Sequence, residues 1–232
     1  MGQFGSAARY KVGEMQQVLR AAVILLFGIV PSLVFFWWIV HGCEFWYFSG
    51  ALMESSGGRD VLWNAFLFCT FGIVHSVLAE IGVNRLVYLI VAGVTSLAVI
   101  AFWVPALGTL WQVGGKELSW WFGTVQFLVW LAIHNWIIAT GGWAEFLGIR
   151  EMEKRLITSG PYALCRHPMH ANILFSLLLT PHMTADRLTM LTAVGLYLLA
   201  AIPIEEARLQ ESFGLEWRSY KAQTPLLIPG VL

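Results

Sequence analysis

The chain has 232 residues, 58% of them hydrophobic and only 12% charged, with 14 basic and 14 acidic side chains and no net charge. A mean hydropathy of +0.69, against the roughly 25% charged residues of soluble domains, excludes an ordinary soluble domain and identifies an integral membrane protein. The neutral balance gives no reason to expect a nucleic-acid partner, and the 12 Trp and 15 Phe suit bilayer interfaces, where an apolar ring carries a polar edge.

Residues 1–18 carry Arg9, Lys11 and Glu14 among small and polar residues and are expected to form a cytoplasmic arm or a short interfacial helix. No small-residue cleavage pattern follows, so no removable signal peptide is expected. Leu19 to Val40 is the first span, with Pro31 expected to kink it. A loop then runs to Asp60, with Trp46 and Tyr47 as interface anchors and Ser55 to Gly58 as its turn. Val61 to Ile81 is the second span and contains His75 and Ser76. Leu86 to Leu107 is the third and most uniformly apolar. Trp111 to Leu118 is a compact loop, and Trp120 to Ala139 is the fourth span, with Gln126, His134 and Asn135 on it. Residues 19–140 thus read as a membrane scaffold.

From Gly141 the composition changes. Glu145, Arg150, Glu151, Glu153, Lys154 and Arg155 keep the segment up to Arg166 outside the hydrocarbon. Met169 to Thr180 is apolar but only about a dozen residues, which at about 1.5 Å per residue falls short of a core about 30 Å thick. Leu188 to Ile204 returns after a turn at Pro181 to Arg187. The fold class is therefore an all-α membrane bundle of five to six spans, the last two being either a short hairpin or tilted full spans. Counting cations favours six. Arg9, Lys11, Arg20, Arg85, Arg150, Lys154, Arg155, Arg166, Arg208, Arg218 and Lys221 fall on one side, and Arg59, Lys116 and Arg187 on the other. By the positive-inside rule both termini and the polar clusters are cytoplasmic.

The polar run Gly160-Pro161-Tyr162-Ala163-Leu164-Cys165-Arg166-His167-Pro168 is the expected centre of chemistry. Pro168 biases His167 away from helical geometry, so Arg166 and His167 are presented by an irregular turn at a helix N-terminus. Such a terminus favours a carboxylate or phosphate, although Arg166 alone would also serve as a headgroup anchor. Glu205 and Glu206, directly after the next apolar stretch, are the expected complement, with an Arg208 pair to Glu205 as the local alternative. Gly214 reads as a helix C-cap, followed by a short amphipathic turn with Trp217 and Tyr220. Cys43, Cys69 and Cys165 lack metal or redox spacing and read as structural thiols, Cys165 having a cation beside it. No metal site is expected. His75 and His134 are single polar residues on apolar helices, which more often bond a neighbouring helix than a ligand. A haem held by that pair, or a nicotinamide-dependent reductase, is the alternative functional class.

Gly160-x-Tyr162-x3-Arg166-His167-Pro168, followed by Glu205-Glu206-x2-Leu209-x3-Phe213-Gly214-x-Glu216-x3-Tyr220 and a proline in the tail, resembles the isoprenylcysteine carboxyl methyltransferase superfamily over about the last seventy residues. Thr180-Pro181, Ile202-Pro203-Ile204-Glu205-Glu206 and, upstream, Phe71-Gly72-x2-His75-Ser76 are most similar to its bacterial methanethiol S-methyltransferase and NnrU-like branch. The chain departs from the family at His170, Asn172 and Trp217, where Tyr, a small residue and Tyr are usual. The resemblance implies a methyltransferase that binds S-adenosylmethionine in a cytosol-facing pocket of residues 141–232 and receives a small or lipophilic acceptor through the bilayer of a bacterial inner membrane. Methanethiol or hydrogen sulfide is the expected acceptor, and a prenylcysteine carboxylate or a lipid the alternative. On that basis Arg166 is expected to hold the cofactor carboxylate, Glu205 or Glu206 its ribose hydroxyls or ammonium, and Tyr162 and His167 its adenine side. His134, His170 or His75 would serve the thiol as a base, His134 first because Asn135 adjoins it.

Overall fold

The computed structural model describes residues 15–16, 18–41, 58–106, 108–147 and 155–230. The expected N-terminal arm up to Glu14, the Trp46 and Tyr47 anchors, Cys43, the turn before Gly58 and the charged run 150–154 lie outside the described residues. Among the described residues, five helices are long and apolar enough to cross a membrane. They are α1 (Val18–Val40), α2 (Gly58–Glu80), α3 (Arg85–Phe102), α4 (Lys116–Gly141) and, after the short α5 (Trp143–Phe146) and α6 (Pro168–Leu178), α7 (Ala185–Gln223). The all-α membrane bundle expected from composition is what forms. Large apolar side chains such as Leu196 and Leu199, 62% and 75% exposed, face outward where lipid would lie.

The core is set by α7, which packs on α2 and α6, with α3 against α1 and α2. Trp38, Trp103, Leu177 and Met190 are its most deeply buried members, and a second cluster stacks Phe36 on Trp130 at 4.1 Å between α1 and α4. Since lipid is as apolar as Leu, such contacts hold helices together by close packing rather than by escape from water.

Pro31 does not merely kink α1. A π-helical turn, Leu25–Ile29, comes just before it, closed by Val30 N–H bonding to the Leu25 carbonyl. Proline removes the amide that would bond the Phe27 carbonyl four residues back, and the wider turn absorbs that loss. The Phe27 carbonyl then lies against α3 at Gly93, where a Cβ would come within 1.9 Å of its oxygen.

The third span ends at Phe102, five residues earlier than expected. Asn64, fully buried on α2, donates from Nδ2 to the Val104 carbonyl at 2.6 Å and accepts from Val104 N–H at 3.0 Å. Asp186 Oδ1 accepts from Trp103 Nε1 at 2.9 Å and from Ala106 N–H at 3.0 Å. Two side chains remote in sequence thus supply the bonds a helix would have made, and Pro105 keeps Val104 extended. The expected loop after α3 contains a strand, β1 (Thr109–Gln112), paired antiparallel with β2 (His182–Thr184) in the register Thr109–Thr184 and Gln112–His182.

The 11-residue α6 rises only about 16 Å, and the chain bends at Leu179 and Pro181 before β2 and the return along α7. Among the described residues α6 is thus the short arm of a hairpin whose other arm, α7, is of membrane length. Arg166 at the start of α6 and Glu206 on α7 meet at one end, as both expected versions required. Gly214, with φ 52° and ψ −115°, breaks α7 where a C-cap was expected, and a second helical segment runs on to Gln223.

Gly93→Ala is expected to cost about 1–3 kcal/mol by overpacking, lowering the melting temperature of the detergent-solubilised protein. Gly195→Ala, on α7 with open space around the new methyl, is expected to leave it unchanged or raise it slightly.

Candidate active site

Pro161 and the positive φ of Gly160 (63°) shape a short 3-10 turn, Gly160–Ala163, that packs against the end of α4. A side chain at Gly160 would meet Thr140 Oγ1 at 2.9 Å and the Trp136 indole at 3.1 Å. His167 then caps α6 with φ −125° and ψ 66°, non-helical as the following Pro168 dictates.

Arg166 and His167 both reach α7. Arg166 Nε donates to Glu206 Oε1 at 2.8 Å, and Lys221 Nζ meets Glu206 Oε2 at 2.5 Å, the Arg166 and Glu206 side chains being 11% exposed. Arg166 NH1 donates to the carbonyls of Thr224 (2.6 Å) and Lys221 (3.1 Å), and its backbone N–H to Pro225 at 2.8 Å. His167 sits between the two carboxylates. Its Nε2 lies 3.4 Å from Glu206 Oε1 and its Nδ1 3.5 Å from Glu205 Oε2.

Glu205 and Glu206, about 100° apart around the helix, serve two adjoining spaces. On the Glu206 side a cavity of about 470 Å³ is lined by Arg166, Glu206, Gln210, Trp217 and Lys221 with apolar walls from Ile202 and Leu226. On the Glu205 side lie His167, His170 and Tyr162. The His167 and His170 rings stack at 5.4 Å, and one ligand atom each from His167, His170 and Glu205 lies within 4.8 Å of the others. His170 Nδ1 and Asn172 Nδ2 are buried with no hydrogen-bond partner among the described residues. Burial, and then the Glu205 charge, hold the Tyr162 hydroxyl above the ordinary tyrosine range, so it stays protonated as a donor.

Of the site residues expected from sequence, Tyr162, Arg166, His167, His170, Glu205 and Glu206 come together here. His134 does not join them, since its Nδ1 bonds the Trp130 carbonyl at 3.0 Å and its ring lies on Trp130. Arg208 does not take Glu205 in a salt bridge, its NH1 bonding Glu80 Oε2 on α2 at 2.9 Å. Cys165 is buried, and burial raises its thiol above the ordinary range, outweighing a backbone N–H from His167. The neighbouring cation therefore does not make a thiolate of it. Lys221, the tail carbonyls and Tyr88 were not anticipated. Lys221 follows the Tyr220 of the recognised motif directly, and Tyr88 is one helical turn beyond Arg85, so both carried a positional signal.

Fold and site define an integral-membrane helical protein with a polar pocket at one end. Its relatives narrow the class. The chain is 25% identical over 237 residues to methanethiol S-methyltransferase 1 of Bradyrhizobium diazoefficiens, covering 89% of this chain and 82% of that protein. It is 25% identical to the methanethiol S-methyltransferases of Pseudomonas deceptionensis (74% of this chain, 73% of that one) and Mycobacterium tuberculosis (74% and 79%). No family model and no solved structure matches. The similarity supports the branch that the C-terminal motifs resemble, and the chain is an enzyme of the methyltransferase class, which requires a methyl donor.

Glu206→Gln is expected to destabilise the protein by about 3 kcal/mol, because it leaves Arg166 and Lys221 without their charge partner, and to speed amide exchange in residues 224–226. Glu80→Gln breaks only the exposed pair with Arg208 and should cost under about 1 kcal/mol. Near pH 7.5 Cys165 should react with iodoacetamide far more slowly than the same thiol in the unfolded chain, as mass spectrometry of timed samples would show.

Proposed function

We propose that this chain is an S-adenosylmethionine-dependent membrane methyltransferase whose acceptor is a small thiol of the methanethiol or hydrogen sulfide type. The observation that carries the reading is the meeting of Arg166, Lys221 and Glu206 at a cavity of about 470 Å³, with two buried polar atoms near the carboxylates, His170 Nδ1 and Asn172 Nδ2, left without partners among the described residues. A volume of that order lies within the range of cofactor pockets, and buried polar atoms without partners call for a polar ligand. The relatives' names supply the thiol.

The donor set fits this cofactor. Arg166 and Lys221 on the cavity wall offer cations to its carboxylate, Glu205 or Glu206 accepts from its ribose hydroxyls or ammonium, and Tyr162 and His167 take the adenine side. When bound, S-adenosylmethionine supplies an electrophilic methyl on a cationic sulfur. The chain's part is to orient, to exclude water and to hold the acceptor in line, for which proximity alone can contribute roughly 7–11 kcal/mol. His170 and Asn172, where the chain departs from the superfamily, line the acceptor side. Residues 141–232 form the catalytic region, 19–140 the scaffold and acceptor-side helices, and 1–18 the N-terminal arm. The cation distribution favours a reading in which the pocket and both termini face the cytoplasm from a bacterial inner membrane, where a charged, water-soluble donor has direct access.

Calorimetry of the full chain in nanodiscs should show binding of S-adenosylhomocysteine, and Arg166→Lys, which loses the planar fork, should weaken it about tenfold or more. With labelled S-adenosylmethionine, methanethiol or hydrogen sulfide should accept the methyl in preference to prenylcysteine and lipids. Absence of binding would overturn the cofactor assignment, and label only in a prenylated or lipid acceptor would overturn the thiol assignment.

A further inference from the structure

One buried polar group inside the bundle has no role in the cofactor site. His75 on α2 has its Nε2 in a short hydrogen bond with the Tyr88 hydroxyl of α3, while its Nδ1 is buried with no partner among the described residues. Leaving such an atom unpaired costs about 1–3 kcal/mol, and a buried polar atom of this kind calls for an explanation. Ionisable groups within membrane helices generally mark function.

The packing around this ring holds it in one position. Gly72, one turn earlier on α2, allows the Tyr197 ring of α7 so close that a Cβ there would meet it at 2.8 Å. Ser76 Oγ lies 2.7 Å from Tyr197 Oη, locking α2 to α7 beside His75. The Phe71 ring centroid stands 5.6 Å from that of His75. Each named residue of Phe71-Gly72-x2-His75-Ser76, the motif left over from the cofactor site, thus bears on the placement of the imidazole. From α3, Arg85 fixes Tyr88. Its guanidinium lies 5.0 Å from the Tyr88 ring and 4.9 Å from the Phe146 ring, and its Nε donates to the Phe146 carbonyl at 2.9 Å.

The titratable and charged groups near the pair come from three elements. Arg85 on α3 and His170 on α6 are electrostatic neighbours of His75, and Arg85, Tyr197 and Glu205 are those of Tyr88. His75 therefore stands beside the polar cluster that ends at Glu205, on one of the proposed acceptor-side helices. His170 is the competing candidate, but it stacks on His167 within the carboxylate cluster.

We propose that His75 Nδ1 is the base that receives the acceptor's thiol proton and that Tyr88 is a positioning residue that selects the ring's tautomer; the assignment rests on the thiol-methyltransferase reading. Neutral imidazole carries one N–H. With it on Nε2, donated to the Tyr88 oxygen, the Nδ1 lone pair is open. The thiol S–H bond breaks as its proton passes to Nδ1. The sulfur electron pair forms the new S–CH3 bond while the bond from that methyl to the donor sulfur breaks, its electrons returning to the donor. The methylated sulfide leaves, and the imidazolium gives its proton to water. Such a base is needed because an alkyl thiol is mostly protonated at neutral pH, free cysteine titrating near about 8.5.

The test compares the parent, His75→Ala, His75→Gln and Tyr88→Phe as full chains in nanodiscs. Each is assayed for S-adenosylhomocysteine binding by calorimetry and for methyl transfer from pH 6 to 10, with methanethiol and with an acidic aromatic thiol already ionised at neutral pH. Both His75 variants should bind the cofactor product within about threefold of the parent. At pH 7 they should lose about 100-fold or more in turnover of methanethiol, within the range of a general base. They should regain most of it at high pH or with the aromatic thiol, and Tyr88→Phe should show a smaller loss with the same pattern. Methanethiol turnover within threefold of the parent, an equal loss with both thiols at every pH, or lost binding in both His75 variants would each overturn the assignment. A parent that methylates no thiol would instead overturn the proposed function, and this inference with it.

Discussion

The contact on which the rest of the polar end depends is the Arg166–Glu206 pair. Both side chains are 11% exposed, so the desolvation cost is high and the pair adds little net stability. What it determines is position. One guanidinium joins the start of α6, the middle of α7 and the carbonyls of Lys221 and Thr224, and Trp217, 2% exposed, lines the cavity with it. The tail is thereby folded back over α7, and the cavity beside Glu206 has a wall. His167, held between Glu205 and Glu206, joins that cavity to the space around His170.

The register that lets this pair form is set at the other end of the bundle. Asp186, bonded to Trp103 and Ala106, and Arg187, bonded to Thr180 and the Val40 carbonyl, fix where α7 begins. Glu205 then emerges about twenty residues on, opposite the start of α6. Because α6 is short and begins only at Pro168, the residues before it are not held in a helix. An irregular Arg-His-Pro turn can therefore stand beside the carboxylates.

Much of this was legible in sequence because hydrocarbon imposes long apolar runs. The starts of α1, α2 and α3 agree with hydropathy to within a few residues, and the meeting of Arg166 and His167 with Glu205 and Glu206 followed from two polar motifs on one side of an apolar pair. The parts that were not legible depend on contacts remote in sequence. The stretch Trp103 to Ala106 reads as helix by composition and is extended because Asn64 and Asp186 offer it better bonds. The strand pair has no alternating pattern to announce it, and Pro31 gave a kink but not the π-turn. At the site, Asn135 was a misleading guide to His134, whose nearest polar partner is its own helix. His75 gained weight through Tyr88 and Tyr197, which no local pattern connects to it.

If the α6 start, the Glu205–Glu206 turn and the tail form one cofactor pocket, binding should protect all three together. Hydrogen–deuterium exchange of the full chain in nanodiscs, with and without S-adenosylhomocysteine, tests it most directly. Added protection in 160–172, 202–210 and 217–226, with α3 and the strand pair unchanged, is the expected result. Binding that protects other segments while leaving these unchanged would contradict it.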